Sequence, residues 1–119
     1  MRPYGFQVSE KFYNLSLRFL NMGFHFKIYR AEGELLIAAC DENIFGLTFE
    51  EGKLVLDVDK NFYGNEIVEW DHLCSFLSKA TILNLVGEEL ISKAIESGFI
   101  DARNVLWVDG VPHAQMVRI

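Results

Sequence analysis

The sequence predicts a small single α+β domain, a mixed or antiparallel sheet with two or three packed helices. Three observations predict it. Period-two alternation recurs in short runs, as at Phe24, Phe26 and Ile28 and again at Leu54, Leu56 and Val58, the mark of half-buried strands. Two other segments, beginning at Glu69 and at Glu88, place their apolar residues at helical spacing. Strands and helices do not alternate regularly, and turn signals such as Asp109-Gly110 join neighbouring strands, so hairpins are favoured over a doubly wound sheet.

Residues 1–22 differ from the rest. They carry Arg2, Lys11 and Arg18 against Glu10, a balance of +2, whereas the whole chain of 119 residues stands at −6, leaving −8 for the remainder. Ser9 is placed to cap a helix over 10–21, and Phe12, Leu15 and Phe19 give it one apolar stripe. The segment reads as an N-terminal extension, either a docking helix or a start displaced upstream of Met22. Residues 23–119 read as the domain.

The first strand alternates Phe24, Phe26 and Ile28 with His25, Lys27 and Tyr29. Glu32-Gly33-Glu34 turns the chain into Leu35 to Cys40, a continuous apolar run that predicts a central strand buried on both faces. Asp41 to Gly52 reads as a loop with room for one helical turn. Lys53 to Val58 reads as a third strand, and Asp59 to Asn65 as a second loop holding Phe62-Tyr63-Gly64. Glu69 to Ala80 is a helix, with Trp70, Leu73, Cys74 and Leu77 on one face. Thr81 to Val86 is either a strand or the end of that helix. Glu88 and Glu89 suit the positive first turn of a second helix, whose stripe is Leu90, Ile91, Ala94 and Ile95. Gly98 ends it, and Phe99 folds back as the apolar contact of the cap. Asn104 to Val108 and Val111 to Ile119 form a terminal hairpin.

Composition narrows the function classes. Half the residues are hydrophobic and ten are phenylalanine, too apolar for a disordered chain. No apolar run reaches about 18 residues, the length a membrane helix needs. No oily stretch follows Arg2 as in a secretory signal, so a cytoplasmic protein is expected. The acidic balance argues against broad nucleic-acid binding, which rests on neutralised phosphates. It leaves a local RNA contact or a basic protein partner open. Cys40 and Cys74 are not part of any CxxC or Cys/His cluster, so structural zinc is not expected. They read as buried free thiols, with a disulfide as the alternative. His25, His72 and His113 are scattered, and neither a metal nor a cofactor is expected.

The candidate site residues are Asp41, Glu42, Tyr63, Asn84, Gly87, His113 and Gln115. On a strand, His113 and Gln115 share a face, and two polar side chains in an oily strand need partners. Asn84, an amide in an apolar run, has the same need, and the three are expected to lie together. Gly87 before a helix permits an anion to approach free backbone N–H groups, yet no GxxxxGK[ST] is present and Glu88-Glu89 would repel a phosphate. Asp41 and Glu42 stand where a buried strand ends. Asp41 reads as a cap for the turn that follows, and either Asp41 or Glu42 as the group orienting His113 for general-base work. Tyr63 sits in an aromatic loop that either stacks a base or peptide or tucks onto the sheet. Cys40 lacks the cationic neighbour a nucleophilic thiolate needs and is followed by two acids.

Taken in order, Ala38-Ala39-Cys40-Asp41-Glu42, Gly46-Leu47-Thr48-Phe49-Glu50-Glu51-Gly52, Phe62-Tyr63-Gly64, Asn84-Leu85-Val86-Gly87-Glu88 and Gly110-Val111-Pro112-His113-Ala114-Gln115 resemble an archaeal family catalogued as domain of unknown function number 424. The resemblance runs over about residues 24–119 and departs at Asn65, where the family tends to have a second glycine. It implies an archaeal cytoplasmic protein associated with translation, and it supplies no catalytic residues. The leading expectation is a non-catalytic accessory or binding module that engages a basic protein or a ribosomal surface. The alternative is a small enzyme or ligand-binding protein with a polar pocket formed by Asp41, Asn84, Gly87, His113 and Gln115. An open concavity holding all five would favour the pocket. Five groups sealed by internal bonds would favour the module.

Overall fold

The computed structural model describes residues 23–118; the helix expected over 10–21 lies outside them. Among the described residues, eight strands and three α-helices build an α+β fold. β1 (Phe24–Ala31) and β2 (Glu34–Asp41) form a hairpin, joined by Glu32 and Gly33 at φ 51 and 81, the positive angles of a two-residue turn that matches strand twist. The same device recurs at Asp109 and Gly110, φ 50 and 80, between β7 (Val105–Val108) and β8 (Val111–Val117).

The main sheet has the order β5-β1-β2-β6-β8-β7, with β5 at Glu66–Val68 and β6 at Ile82–Val86. β2 pairs antiparallel with β1 and parallel with β6, so the sheet is mixed. This central position explains the unbroken apolar run of β2, where Ile37, Ala38, Ala39 and Cys40 are all sealed from solvent. Thr81 to Val86 is therefore a strand and not a helix end. Thr81 pins it to β2 by accepting from the Leu35 N–H at 2.8 Å through its hydroxyl.

Each face of the sheet has its own core. On one, Phe24, Phe26, Ile37, Ala39, Leu83, Leu85 and Ala114 pack against α2 (Trp70–Leu77) and α3 (Glu88–Glu96). α3 ends as expected: Gly98 N–H donates to Ile95 C=O and Phe99 N–H to Ala94 C=O, the paired bonds of a Schellman cap. On the other face, Ala38, Cys40, Val86 and Val108 pack against Leu56, Val58 and Tyr63. Leu56 comes from the hairpin of β3 (Thr48–Glu51) and β4 (Leu54–Asp57), Tyr63 from the short helix α1 (Lys60–Tyr63), and Val58 from the link between β4 and α1.

Two expected loops are thereby corrected. Residues 41–52 contain a 3-10 turn at Glu42–Ile44 and then β3, which pairs with β4 in a separate two-stranded sheet. Residues 59–65 contain α1, whose first turn is capped by the Asp59 carboxylate accepting from the Phe62 N–H at 2.9 Å. Cys40 and Cys74 are both free thiols, and Cys74 is only half-buried.

Candidate functional site

The expected polar residues divide between the two faces of the sheet. Asp41 ends β2 and turns toward the helical face. Its carboxylate accepts from the Glu89 N–H at 3.0 Å and from the Leu90 N–H at 2.9 Å, the free donors of the first turn of α3. Gly87 makes this approach possible, because a Cβ there would overlap the Asp41 carboxylate. Its φ of 120° is open only to glycine. The backbone N–H groups that Gly87 leaves approachable are taken by the chain's own Asp41. The expectation that Asp41 caps the turn following it is corrected: it makes no side-chain bond there and caps a helix that begins 47 residues later. Burial raises the Asp41 pKa to about 6, with Glu89 and Glu88 adding to the rise and the two N–H bonds opposing it.

On the opposite face, β6 presents Asn84 and β8 presents His113. The Asn84 Oδ1 accepts from the Tyr63 hydroxyl at 2.8 Å and from His113 Nε2–H at 3.0 Å. One amide oxygen thus ties α1, β6 and β8 together. Burial pushes the His113 pKa below its ordinary value and the Tyr63 pKa upward, so both rings are neutral at neutral pH. Gln115 is the register partner of Asn84 across β6 and β8 but is exposed. Glu42 is elsewhere, its Oε1 accepting from the Gly23 N–H at 3.0 Å. Asn84, His113 and Tyr63 therefore converge, with Gln115 beside them. Asp41 and Gly87 form a second unit on the helical side of the sheet. Cys40 lies within the apolar cluster between Ala38 and Val86, its pKa pushed up to about 12 by burial and by Asp41.

The hairpin β3–β4 covers only part of its face. Beyond it lies an open concavity of about 380 Å³ lined by Tyr29, Ala31, Glu32, Glu34, Leu36 and Ile82. Leu36 and Ile82 are register partners, and Asn84 follows Ile82 on the same face. The apolar floor thus runs toward the Asn84 and Gln115 amides, and two carboxylates stand at its lip. Sequence reasoning missed this feature. Leu36 and Ile82 read as interior residues of strands, and nothing in them announces that the covering hairpin is short.

Sequence reasoning also passed over His25, which is buried. Its Nδ1–H donates to the Gly64 C=O at 2.9 Å, and its ring stacks on Phe45 at 3.5 Å between centroids. Among the described residues no cluster of three or more His, Cys, Asp or Glu could hold a metal, and no helix is long and apolar enough to cross a membrane.

The profile of the family described as "Protein of unknown function (DUF424)" matches residues 29–119. The chain is similar in fold to an uncharacterized conserved protein from Methanopyrus kandleri solved by crystallography. The TM-score is 0.66 at 20% identity, over 82% of this chain and 94% of that one. No curated protein matches the sequence.

Proposed function

The chain belongs to the DUF424 family, and from that premise we propose that it is a non-catalytic binding module that receives a basic segment of a partner protein. The observation that carries the reading is the open concavity beyond the β3–β4 hairpin, all of whose lining residues fall inside the matched span. Leu36 and Ile82 offer an apolar floor, Tyr29 an aromatic wall, and Glu32 and Glu34 a negative lip. A segment with one aliphatic or aromatic side chain flanked by lysine or arginine matches this pattern of charge and apolar surface. Basic tails of ribosomal proteins have this chemistry, and they are the translation-linked partners the proposal includes.

The state of the reactive groups supports binding over chemistry. Both Asp41 oxygens are bonded to α3, the Asn84 oxygen serves two donors, and the Cys40 thiol is sealed. None of them reaches the concavity as a general base or nucleophile.

The test is NMR shift mapping with a lysine-rich peptide carrying one central phenylalanine, beside an otherwise identical glutamate-rich peptide. The basic peptide is expected to shift the amides of Tyr29, Glu34, Leu36, Ile82 and Gln115. Glu32→Lys together with Glu34→Lys is expected to weaken it about tenfold or more, since like charges then meet at the lip. Equal binding of both peptides, or shifts confined to another surface, would overturn the proposal.

A further inference from the structure

The floor of the concavity belongs to a longer row of side chains. Tyr29 on β1 is the register partner of Leu36 on β2, Leu36 of Ile82 on β6, and Ile82 of Val117 on β8. Register partners share a face, so four strands set one apolar row across the open end of the sheet. Val117 is 65% exposed. Glu32 and Glu34 stand at the β1–β2 end of the row, and neither forms an ion pair among the described residues.

We propose that residues 1–22 of this same chain occupy the concavity, with Phe12 on the Leu36–Ile82 floor and Lys11 against Glu32 and Glu34. The inference rests on the reading of the concavity as a site for basic segments, and it adds the regulation of that site: a partner's segment must displace the chain's own.

The pattern of the segment fits the site. Lys11-Phe12 and Arg18-Phe19 each set a cation beside an aromatic ring, the combination that an apolar floor with an acidic lip selects. At the helical spacing of this segment Lys11 aligns with Arg18 and Phe12 with Leu15 and Phe19. A basic stripe therefore borders an apolar one, as the acidic lip borders the apolar row. The overall charges are opposite as well, +2 on residues 1–22 against −8 on the remainder.

The length of chain also fits. The segment joins the domain at Gly23, whose N–H donates to Glu42 Oε1 at 3.0 Å. Tyr29 lies six residues further along β1, about 20 Å at the rise of a strand. The ten residues 13–22 span about 15 Å as a helix and up to about 35 Å when extended. The distance to be bridged falls between these limits, so Phe12 reaches the floor without any change in β1.

Attachment distinguishes this occupant from any other basic segment. A tethered segment meets its site at an effective concentration in the millimolar range. If it binds by itself at about 100 μM, it fills the site about nine-tenths of the time, and a free competitor binds about tenfold more weakly than to the empty site.

The test uses the full chain. NOEs are expected from the Phe12 ring protons to the Leu36 and Ile82 methyl groups, and Glu32→Lys with Glu34→Lys is expected to remove them. Lys11→Glu with Phe12→Ser is expected to shift the amides of Glu34, Leu36 and Ile82. This second variant should bind the lysine-rich, phenylalanine-bearing peptide about five- to tenfold more tightly than wild type. The Glu32 and Glu34 variants leave residues 1–22 intact, so the question stays open to decision if the Lys11 and Phe12 variant folds poorly. NOEs to a different surface, or none, would overturn the inference. NOEs seen only between labelled and unlabelled chains in a mixture would also overturn it, since the occupant would then be a second copy's segment. If the NOEs are absent and the peptide binds wild type and variant alike at the concavity, this inference fails and the binding reading stands. If the NOEs are present and the variant still rejects the peptide, the segment's place is upheld and the binding reading fails.

Discussion

Cys40 shows how the neighbours of a side chain decide its chemistry. It closes the run Leu35-Leu36-Ile37-Ala38-Ala39, is fully buried, and is followed by Asp41. Burial and the adjacent carboxyl both disfavour a thiolate, and its pKa is pushed up to about 12. Iodoacetamide at neutral pH is therefore expected to leave Cys40 unmodified in the folded chain and to alkylate it only after unfolding. Half-buried Cys74 serves as the internal control. Cys40→Ala is expected to cost on the order of 1 kcal/mol, a packing loss only. Peptide mass mapping before and after denaturation reads the first outcome and thermal melting the second. Rapid stoichiometric labelling of Cys40 in the folded protein would return the nucleophile to consideration. Asn84 is the contrasting case. Its own sequence context asks for partners, and the structure supplies Tyr63 and His113, which lie 21 and 29 residues away.

At the scale of elements, the join between β2 and α3 rests on a carboxylate and a missing Cβ. Asp41 bonds two N–H groups of the first helical turn, and Gly87 leaves the space it needs. Gly87→Ala is expected to destabilise the fold by more than about 3 kcal/mol, from overlap with Asp41 and from strain at a φ that alanine avoids. Asp41→Ala removes a cap, a loss of about 1–2 kcal/mol. In the Asp41→Ala background the overlap is gone, so Gly87→Ala should cost at least about 1 kcal/mol less than in the wild-type chain. Chemical denaturation of the four variants measures that coupling, and strict additivity would show that Asp41 and Gly87 do not act as a unit. The elements themselves were legible to unequal degrees. β1, β2, α3 and the β7–β8 hairpin follow from period and turn chemistry. β3 was not legible, because Thr48-Phe49-Glu50-Glu51 has one buried-type residue and half its length is acid. β5 has three residues and an exposed middle, too short for any period. Of the site, the shared face of His113 and Gln115 was visible as a spacing of two. The partner of Asp41 was not, because a bond across 48 residues leaves no local pattern.

For the whole molecule, two buried groups bend the pH dependence of stability in opposite senses. Asp41 has its folded pKa raised to about 6 from 3.8. The native state therefore holds a proton that the unfolded chain has released across that interval, and stability falls as pH rises from about 4 through about 6. Two units correspond to at most about 3 kcal/mol at 1.36 kcal/mol per unit. His113 has its folded pKa lowered from 6.5 by burial. The native state sheds its proton first, so this contribution is intact above 6.5 and is lost as pH falls through the folded value. In the wild-type chain the two slopes oppose each other near pH 6, and a melting profile alone would hide both. Single variants separate them. The melting temperature of Asp41→Asn minus that of wild type is expected to rise between pH 4 and 7, because the variant carries no charge to bury. The same difference for His113→Gln is expected to rise as pH falls below 6.5. Glutamine stays neutral there and can still donate to Asn84. A flat difference for Asp41→Asn would mean that the two α3 N–H groups offset its burial completely. A falling one would mean that the helix terminus stabilises the charged carboxylate beyond what burial costs, and that this join strengthens as pH rises.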